Sequence, residues 1–213
     1  MSWYSKVVWS EGLFLRPHHF QQSDRYFENL LESRVRSVTP YPWGFSVLEI
    51  DRDLAQQSRI GLRRAVGVMP DGTPFAMPDN SPLPAAIEVP ENAAGQLVWL
   101  SLPLAAANTR EVDDALNGSA SRYLPANEML IDSTASLRTE EDIDVAHPRL
   151  ALELRKTAKA GYVGLALGRI LEVRDRAVLF DEKFAPPVLV CSAYPVIEGW
   201  LDRVIGWIDN KLE

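Results

Sequence analysis

The chain is poor in cysteine, in long apolar runs and in positive charge. Cys191 is the single cysteine among 213 residues, so an internal disulfide and a cysteine-rich zinc site are both excluded. No stretch approaches the roughly 20 apolar residues that a membrane-spanning helix needs, and the N-terminus lacks the apolar core of a secretion signal. The net charge of −7 argues against a protein that binds nucleic acid or anionic membranes. We therefore expect an ordinary folded protein with a cytoplasmic location.

The histidines do not form a recognisable metal or acid–base motif. Two of the three, His18 and His19, are adjacent in the sequence. Helical neighbours lie three or four residues apart, so neither histidine reaches Asp24 on a shared helical face. The third, His147, precedes a proline far along the chain, and no His-Glu-x-x-His occurs. The pattern favours a structural histidine pair and predicts no metal site.

Other catalytic signatures are missing as well. No Gly-x-Ser-x-Gly motif occurs, and Cys191 lies in the apolar run VLVCSA, which predicts a buried and inert thiol. Gly161, Gly164 and Gly168 are not followed by a phosphate-binding Gly-Lys-Ser or Gly-Lys-Thr. The acidic run TEEDID lacks the spacing of a calcium loop and favours a solvated loop. The sequence thus predicts no enzyme, no cofactor and no small-molecule substrate.

Both ends of the chain have helical periodicity. Residues 17–37 begin with Pro17, which suits the first position of a helix, and place apolar side chains on one side: Phe20, Phe27, Leu31 and Val35. The prolines of TPYPW, at 39–43, end this helix. Residues 195–213 repeat apolar side chains at spacings of three and four, and Trp200 and Trp207 widen the stripe. Because this pattern runs to the last residue, we expect the sequence to be a fragment.

The middle of the chain, from Trp43 to Cys191, has an apolar period of two. The segment RIGLRRAVGVMPDGTPFAM predicts one apolar face followed by a turn and a second strand: Ile60, Leu62, Val66 and Val68, then Phe75 and Met77. A charged turn at 174–176 joins two further strands. The segments 78–95 and 105–149 are less regular, and the second predicts long loops with a few short strands. Several strands without intervening helices indicate a mainly β fold, an antiparallel β-sandwich with an N-terminal and a C-terminal helix.

Large aromatic side chains precede the first helix. Trp3, Tyr4, Trp9 and Phe14 lie in a segment without a regular pattern, and an unstructured tail seldom carries so many apolar rings. They pack either on the protein's own sandwich or on another subunit, as buried aromatics do at interfaces. The sequence leaves both alternatives open.

Four separated motifs carry a resemblance to a known family. VVWSEGLFLRPHHFQQSDRYFE, PYPWGFSVLEID, PDGTPFAMP and FDEKFAPPVLVCSAYP follow each other in the order seen in the TssK family of type VI secretion baseplate subunits, also called ImpJ or VasE. The match extends from about Val8 to Trp200. The resemblance implies a homotrimer whose N-terminal β-sandwich is similar to the shoulder domain of siphophage receptor-binding proteins. It also implies attachment to the wedge proteins TssF and TssG, and a link to the inner-membrane complex through TssL and TssM.

The resemblance implies three parts and two interfaces. The parts are an aromatic extension over 1–16, a β-sandwich shell with its N-terminal helix over 17–194, and the start of a helical stalk over 195–213. For the wedge or a neighbouring subunit we expect contacts from Trp3, Tyr4, Trp9, Phe14 and Leu15. For the trimer we expect contacts from Ile197, Trp200, Leu201, Val204 and Ile208. The location implied is cytoplasmic and docked at the inner membrane.

Two rival functions stay open at this point. A phage-like sandwich that binds carbohydrate or a receptor would need exposed aromatic platforms, but Trp43 and Trp99 lie in strand-like settings that predict burial. A metal hydrolase would have to use His18, His19 and His147 without a recognisable ligand spacing. Glycan binding would support the first rival, and the lack of stoichiometric metal would exclude the second.

Overall fold

The structure is a computed structural model, and it describes residues 3–106, 109–113, 121–134 and 139–212. The chain divides into two compact units, Met1–Pro42 and Trp43–Glu213. The division predicted above, with boundaries after residues 16 and 194, stays a prediction.

The first unit contains one long helix, α1 (Pro17–Val38), which confirms the helix predicted over 17–37. Pro17 occupies the first helical turn, where its missing N–H removes no hydrogen bond. The helix ends at Thr39, whose backbone N–H donates to the carbonyl of Val35 at 3.0 Å. No described residue of 3–42 is buried. This unit therefore has no core of its own in the described chain.

The second unit is mostly sheet. Its described strands are β1 (Gly44–Ile50), β2 (Arg59–Ile60), β3 (Leu62–Val68), β4 (Pro74–Met77), β5 (Ile87–Glu88), β6 (Leu97–Pro103), β7 (Tyr123–Ile131), β8 (Glu140–Pro148), β9 (Ala151–Arg155), β10 (Tyr162–Arg174) and β11 (Ala177–Phe180). A short helix, α2 (Arg52–Ala55), follows β1. A 3-10 turn (Cys191–Ala193) precedes the C-terminal helix α3 (Pro195–Leu212), which confirms the predicted helix.

The strands form an antiparallel sandwich, as predicted. The two larger sheets have the orders β1-β3-β4 and β11-β10-β6-β9, and among the described residues β2 also pairs with β5 and β7 with β8. Every described pairing within these sheets is antiparallel. One apolar cluster includes side chains from both sheets, and its largest fully buried members are Phe45, Ile60, Met69, Met77, Val98, Leu100, Leu102, Leu165, Leu167 and Ile170. Burial of this cluster is the main force that holds the two sheets together.

The alternation predicted for β3 is wrong in its second half. Ile60 and Leu62 are buried as expected, but after them Ala65 and Gly67 are buried and the valines on either side are only half-buried. The register explains this shift, because Glu49 pairs with Arg64 and Ile50 pairs with Leu62. Arg63 is the extra residue of a β-bulge, and one extra residue exchanges the two faces of a strand.

The turn predicted at 174–176 is confirmed. β10 and β11 pair antiparallel, with Arg174 opposite Ala177. The two residues between them, Asp175 and Arg176, have φ of 50° and 67°. Positive φ at both central positions is the geometry of a type I′ turn, which matches the twist of the strands that it joins.

Two further predictions are wrong. The sequence predicts long loops with a few short strands over 105–149, but the described part of that segment contains the nine-residue strands β7 and β8, paired antiparallel. The acidic run TEEDID thus lies largely in β8, although its residues are solvent-exposed as expected. Cys191 is exposed and not buried, because the chain leaves the sheet just before it and enters the 3-10 turn.

Candidate interaction surfaces

The histidines serve local structure. The backbone N–H of Arg16 donates to Nδ1 of His19 at 3.1 Å, so His19 satisfies a donor at the start of α1. His18 is exposed on the same turn. His147 Nε2 lies 3.4 Å from Oε1 of Glu128 on the neighbouring strand. Across the described parts of the chain, no three His, Cys, Asp or Glu side chains are grouped so that they could hold a metal ion.

The start of the N-terminal extension is fixed to α1 by Gln22. Its Nε2 donates to the carbonyl of Trp3 at 3.1 Å and to the carbonyl of Ser5 at 2.7 Å. The guanidinium carbon of Arg25 lies 4.3 Å from the centre of the Trp3 ring, which is a cation–π contact. The extension therefore folds back along the helix that follows it.

Trp9 also lies on α1, whereas the other aromatic anchors stay exposed. Its ring centre is 6.3 Å from that of His19 and 6.4 Å from that of Phe20. Even so, Trp9 is 52% exposed and Phe14 is 80% exposed. Tyr4 and Leu15 are about half exposed. Of the predicted interface residues, Trp3 and Trp9 are thus brought onto the helix, and Tyr4, Phe14 and Leu15 are left without cover.

The apolar side of α1 continues this exposed surface. It consists of Phe20, Phe27, Leu31, Val35 and Val38, each of them exposed. Together with Trp3, Tyr4, Trp9, Phe14 and Leu15 they form what we call the N-terminal face. A contiguous apolar surface of this kind is typical of an interaction site, because a helix without tertiary cover is marginal in water.

The apolar stripe of α3 is also exposed. Trp200, Leu201, Val204 and Ile208 are each at least 40% exposed, and Ile197 is half-buried at the start of the helix. Ile205 and Trp207 widen the stripe on either side and are exposed too. The structure thus places all five predicted trimer residues on one helix, with their apolar surface available to another chain.

Sequence reasoning missed a polar cluster at the base of β7 and β8. The Arg122 guanidinium is buried and donates to Oδ2 of Asp71 at 2.7 Å and to the carbonyl of Pro103 at 2.6 Å; it also bonds Thr73. Burial is the largest single effect and lowers the pKa of Arg122, but the Asp71 carboxylate and the Tyr123 hydroxyl together outweigh it, so the pKa is raised. Arg122 and Asp71 lie 51 positions apart, and no local sequence pattern connects them.

A second arginine holds the same base. Nη2 of Arg149 donates to the carbonyl of Asp113 at 2.7 Å and to Oγ of Ser121 at 2.6 Å. The backbone N–H of Arg149 donates to the carbonyl of Arg122 at 2.9 Å. The two arginines together tie the start of β7 and the end of β8 to the sandwich.

The positions of Trp43 and Trp99 do not support a carbohydrate-binding function. Trp43 and Trp99 are half-buried, so neither presents an open aromatic platform. No helix of the described chain is long and apolar enough to cross a membrane. The exposed apolar surfaces on α1 and α3 are therefore the main candidates for a functional site.

The chain is similar to a known family of proteins in both sequence and fold. A family model described as bacterial type VI secretion, which includes EvfL, ImpJ and VasE, matches residues 19–213. The type VI secretion system baseplate component TssK1 of Pseudomonas aeruginosa is 37% identical over the whole chain, which covers 48% of that protein. The chain thus spans about half the length of this relative.

Solved structures agree in fold. A crystal structure of TssK superposes with a TM-score of 0.89 at 33% identity, over 97% of this chain and 47% of that one. The TssK–TssF–TssG baseplate subcomplex, determined by cryo-electron microscopy, contains a chain that superposes with a TM-score of 0.79 at 25% identity, over 90% of this chain and 64% of that one. The sequence match and the shared fold lead to one conclusion: this chain belongs to the TssK (ImpJ/VasE) family of type VI secretion proteins.

Proposed function

We propose that this chain is the shell part of a structural adaptor in the type VI secretion baseplate. The observation that carries the proposal is its superposition on a chain of the TssK–TssF–TssG subcomplex over 90% of its own length. The adaptor acts by binding and not by catalysis: it presents surfaces to other subunits and transmits their position. This agrees with a chain whose histidines cap a helix and bridge two strands.

The trimer is proposed to form through α3. Its apolar stripe leaves Trp200, Leu201, Val204 and Ile208 in solvent in the single chain. Burying one such side chain stabilises an assembly by about 1.5–3 kcal/mol. Three copies of the stripe, packed around a common axis together with Ile197, supply the apolar contact that one copy lacks.

The wedge proteins TssF and TssG are the partners proposed for the N-terminal face. Trp3, Tyr4, Trp9, Phe14 and Leu15 bring large rings and one aliphatic side chain to the surface of a unit that buries none of its described residues. A few such anchors usually supply most of the binding energy of an interface. The link to TssL and TssM at the inner membrane, and with it a cytoplasmic site of action, is proposed from the family resemblance.

Co-purification tests this function. The full-length protein is immobilised through a tag and exposed to the TssF–TssG complex of the same organism, and bound TssF and TssG are quantified. We expect stoichiometric capture by the wild type and at least about tenfold weaker capture after Trp9→Ala with Phe14→Ala, because each removes a large anchor.

A matched control separates the anchors from general effects on the unit. Glu11→Ala with Gln21→Ala changes two exposed residues of the same unit that carry no large apolar group, and capture should stay at the wild-type level. Equal loss in both double variants would assign the effect to folding of the unit. No capture by the wild type would contradict the proposed function.

A further inference from the structure

The outer half of the hairpin β7–β8, which we call the β7–β8 ribbon, has no covering element among the described residues. Every residue from Asn127 to Ile131 on β7 is exposed, and so is every residue from Glu140 to Asp144 on β8. An isolated two-stranded hairpin is at best marginally stable in water. The five exposed residue pairs of the ribbon, from Asn127 opposite Asp144 to Ile131 opposite Glu140, are therefore not explained by packing within the described chain.

The ribbon exposes apolar side chains on both faces. Met129 and Ile131 are 62% and 53% exposed, and they share one face because they are two residues apart on one strand. Leu130 and Ile143 are exposed on the other face. Four aliphatic side chains at one end of a ribbon resemble half of an interface more than the polar surface of an ordinary solvated turn.

Every charged residue of the same outer half is acidic. Cross-strand pairing places Glu140 opposite Ile131, Asp142 opposite Met129 and Asp144 opposite Asn127, so three carboxylates follow each other along the first face. The strands β7 and β8 contain no lysine or arginine. Like charges that follow each other on one face of a strand repel, and no lysine or arginine within these two strands offsets that repulsion.

The base of the ribbon is fixed. Arg122 connects it to Asp71 and to the carbonyl of Pro103, and Arg149 connects its two strands to Asp113 and Ser121. A rigid base holds the exposed end in one direction, which lowers the entropy cost of binding. The ribbon is thus a preorganised arm.

We propose that the face of the ribbon with Met129, Ile131, Glu140, Asp142 and Asp144 docks onto a protein surface that presents lysine or arginine side chains around an aliphatic centre. The acidic charge of this face determines which kind of protein can bind to it. A second copy of this chain carries the same net charge of −7, so its overall electrostatic field repels an acidic face. The occupant is therefore a different, basic protein surface. This inference rests on the proposed function, since it places that surface on the TssF–TssG wedge.

A purely protective role predicts a different behaviour. Charged residues on exposed strands also prevent edge-to-edge aggregation, and lysine serves that purpose as well as aspartate does. Replacing acid by lysine would then leave the protein unaffected. A docking face that is complementary to a basic partner loses its attraction and becomes repulsive after the same replacement.

The test measures the affinity of the full-length protein for purified TssF–TssG by biolayer interferometry at two salt concentrations. We expect Asp142→Lys with Asp144→Lys to weaken binding by about a hundredfold, and Asp142→Asn with Asp144→Asn to weaken it by about tenfold with a smaller salt dependence. The matched control, Glu91→Lys with Glu182→Lys, makes the same change in net charge at two exposed acids outside the ribbon and should bind as the wild type does.

The outcomes distinguish failure of the docking face from failure of the proposed function. Unchanged affinity in both ribbon variants, with normal wild-type binding, would overturn the docking face and leave the wedge function intact. Equal weakening in the ribbon and control variants would also overturn it, because net charge alone would then explain the effect. Absence of wild-type binding would overturn the proposed function and the ribbon's partner together. The asparagine variant, nearly identical in shape to the wild type, guards against misfolding as the cause of a loss.

Discussion

The Arg122 guanidinium donates a hydrogen bond of 2.7 Å to Oδ2 of Asp71, although the two residues lie 51 positions apart in the sequence. This bond links the base of the β7–β8 ribbon to the turn before β4. Because Arg122 is buried, removing it leaves the Asp71 carboxylate without its cation. We expect Arg122→Met to lower the free energy of unfolding by about 3 kcal/mol, measured by urea denaturation.

An exposed arginine is the control for this prediction. Arg155 pairs with Glu153 but is 45% exposed, so Arg155→Met should cost less than about 1 kcal/mol. Equal losses in the two variants would mean that the Arg122–Asp71 pair contributes no more than a surface ion pair.

Two glycines should respond to alanine in opposite directions. A Cβ at Gly67 would contact the backbone carbonyl of Gly44 and lie 2.9 Å from Cζ of Phe75, so neither neighbour gives way cheaply. We expect Gly67→Ala to destabilise by about 2 kcal/mol. Gly199 lies inside α3, and a Cβ there meets nothing within 4 Å. Gly199→Ala should stabilise by up to about 1 kcal/mol, because alanine favours the helix. Thermal unfolding of both variants checks the two signs, and a loss at Gly199 would contradict the open surface there.

We expect the ionised Asp51 carboxylate to stabilise the fold at neutral pH and to lose this contribution as the pH becomes acidic. Its carboxylate accepts hydrogen bonds from the backbone N–H groups of Leu54 at 3.2 Å and Asp53 at 2.9 Å, at the start of α2. The bond from Leu54, supported by that from Asp53 and by Arg63, lowers the pKa of Asp51 despite the opposing effect of burial. A lowered folded-state pKa adds stability that is present above the unfolded-state pKa and is lost as the pH falls through the folded-state value.

Asp51→Asn tests this dependence, because asparagine keeps an acceptor oxygen but does not titrate. We expect the wild type to be more stable than the variant at neutral pH, and the difference to shrink as the pH falls into the acid range. Urea denaturation at several pH values measures it. A difference that is constant with pH would show that the charge of Asp51 contributes nothing.

The apolar stripe of α3 should control assembly. Leu201→Asp with Ile208→Asp places two charges on the stripe, and we expect the full-length protein to become monomeric by light scattering, since burying unpaired charges is prohibitive. Arg203→Asp with Asn210→Asp introduces two aspartates on the opposite side of the same helix, at 100° per residue. This control should keep the wild-type mass. A trimer that persists in the Leu201 and Ile208 variant at low concentration would show that the stripe packs within one chain.

Much of the fold was predictable because it follows from local chemistry. Pro17 and the prolines after Thr39 bound α1, and the regular spacing of apolar residues marks α3. The turn at Asp175 and Arg176 follows from a charged pair between two strand patterns. Each of these signals lies within one element, so a single sequence carries it.

The parts that were not predictable depend on contacts between distant segments. The bulge at Arg63 is fixed by its pairing with β1, and no residue near it announces an exchange of faces. The sequence of β8 predicts a loop because glutamate and aspartate disfavour strands, and its strand conformation depends on pairing with β7. The exposure of Cys191 likewise depends on where the chain leaves the sheet. Of the predicted interface residues, Trp3 and Trp9 contact α1, the helix that follows them in the sequence. These two contacts therefore involve residues that are near each other in the sequence.

The mass of the complex between the full-length protein and TssF–TssG tests whether the protein is a trimeric adaptor of the wedge. Multi-angle light scattering during size-exclusion chromatography, with the subunit ratio read from the same peak, gives the number of copies of each protein. We expect a complex in which this protein is present in a multiple of three. Co-elution of a single copy would contradict the trimeric adaptor, and elution of a free trimer beside free TssF–TssG would contradict the wedge function itself.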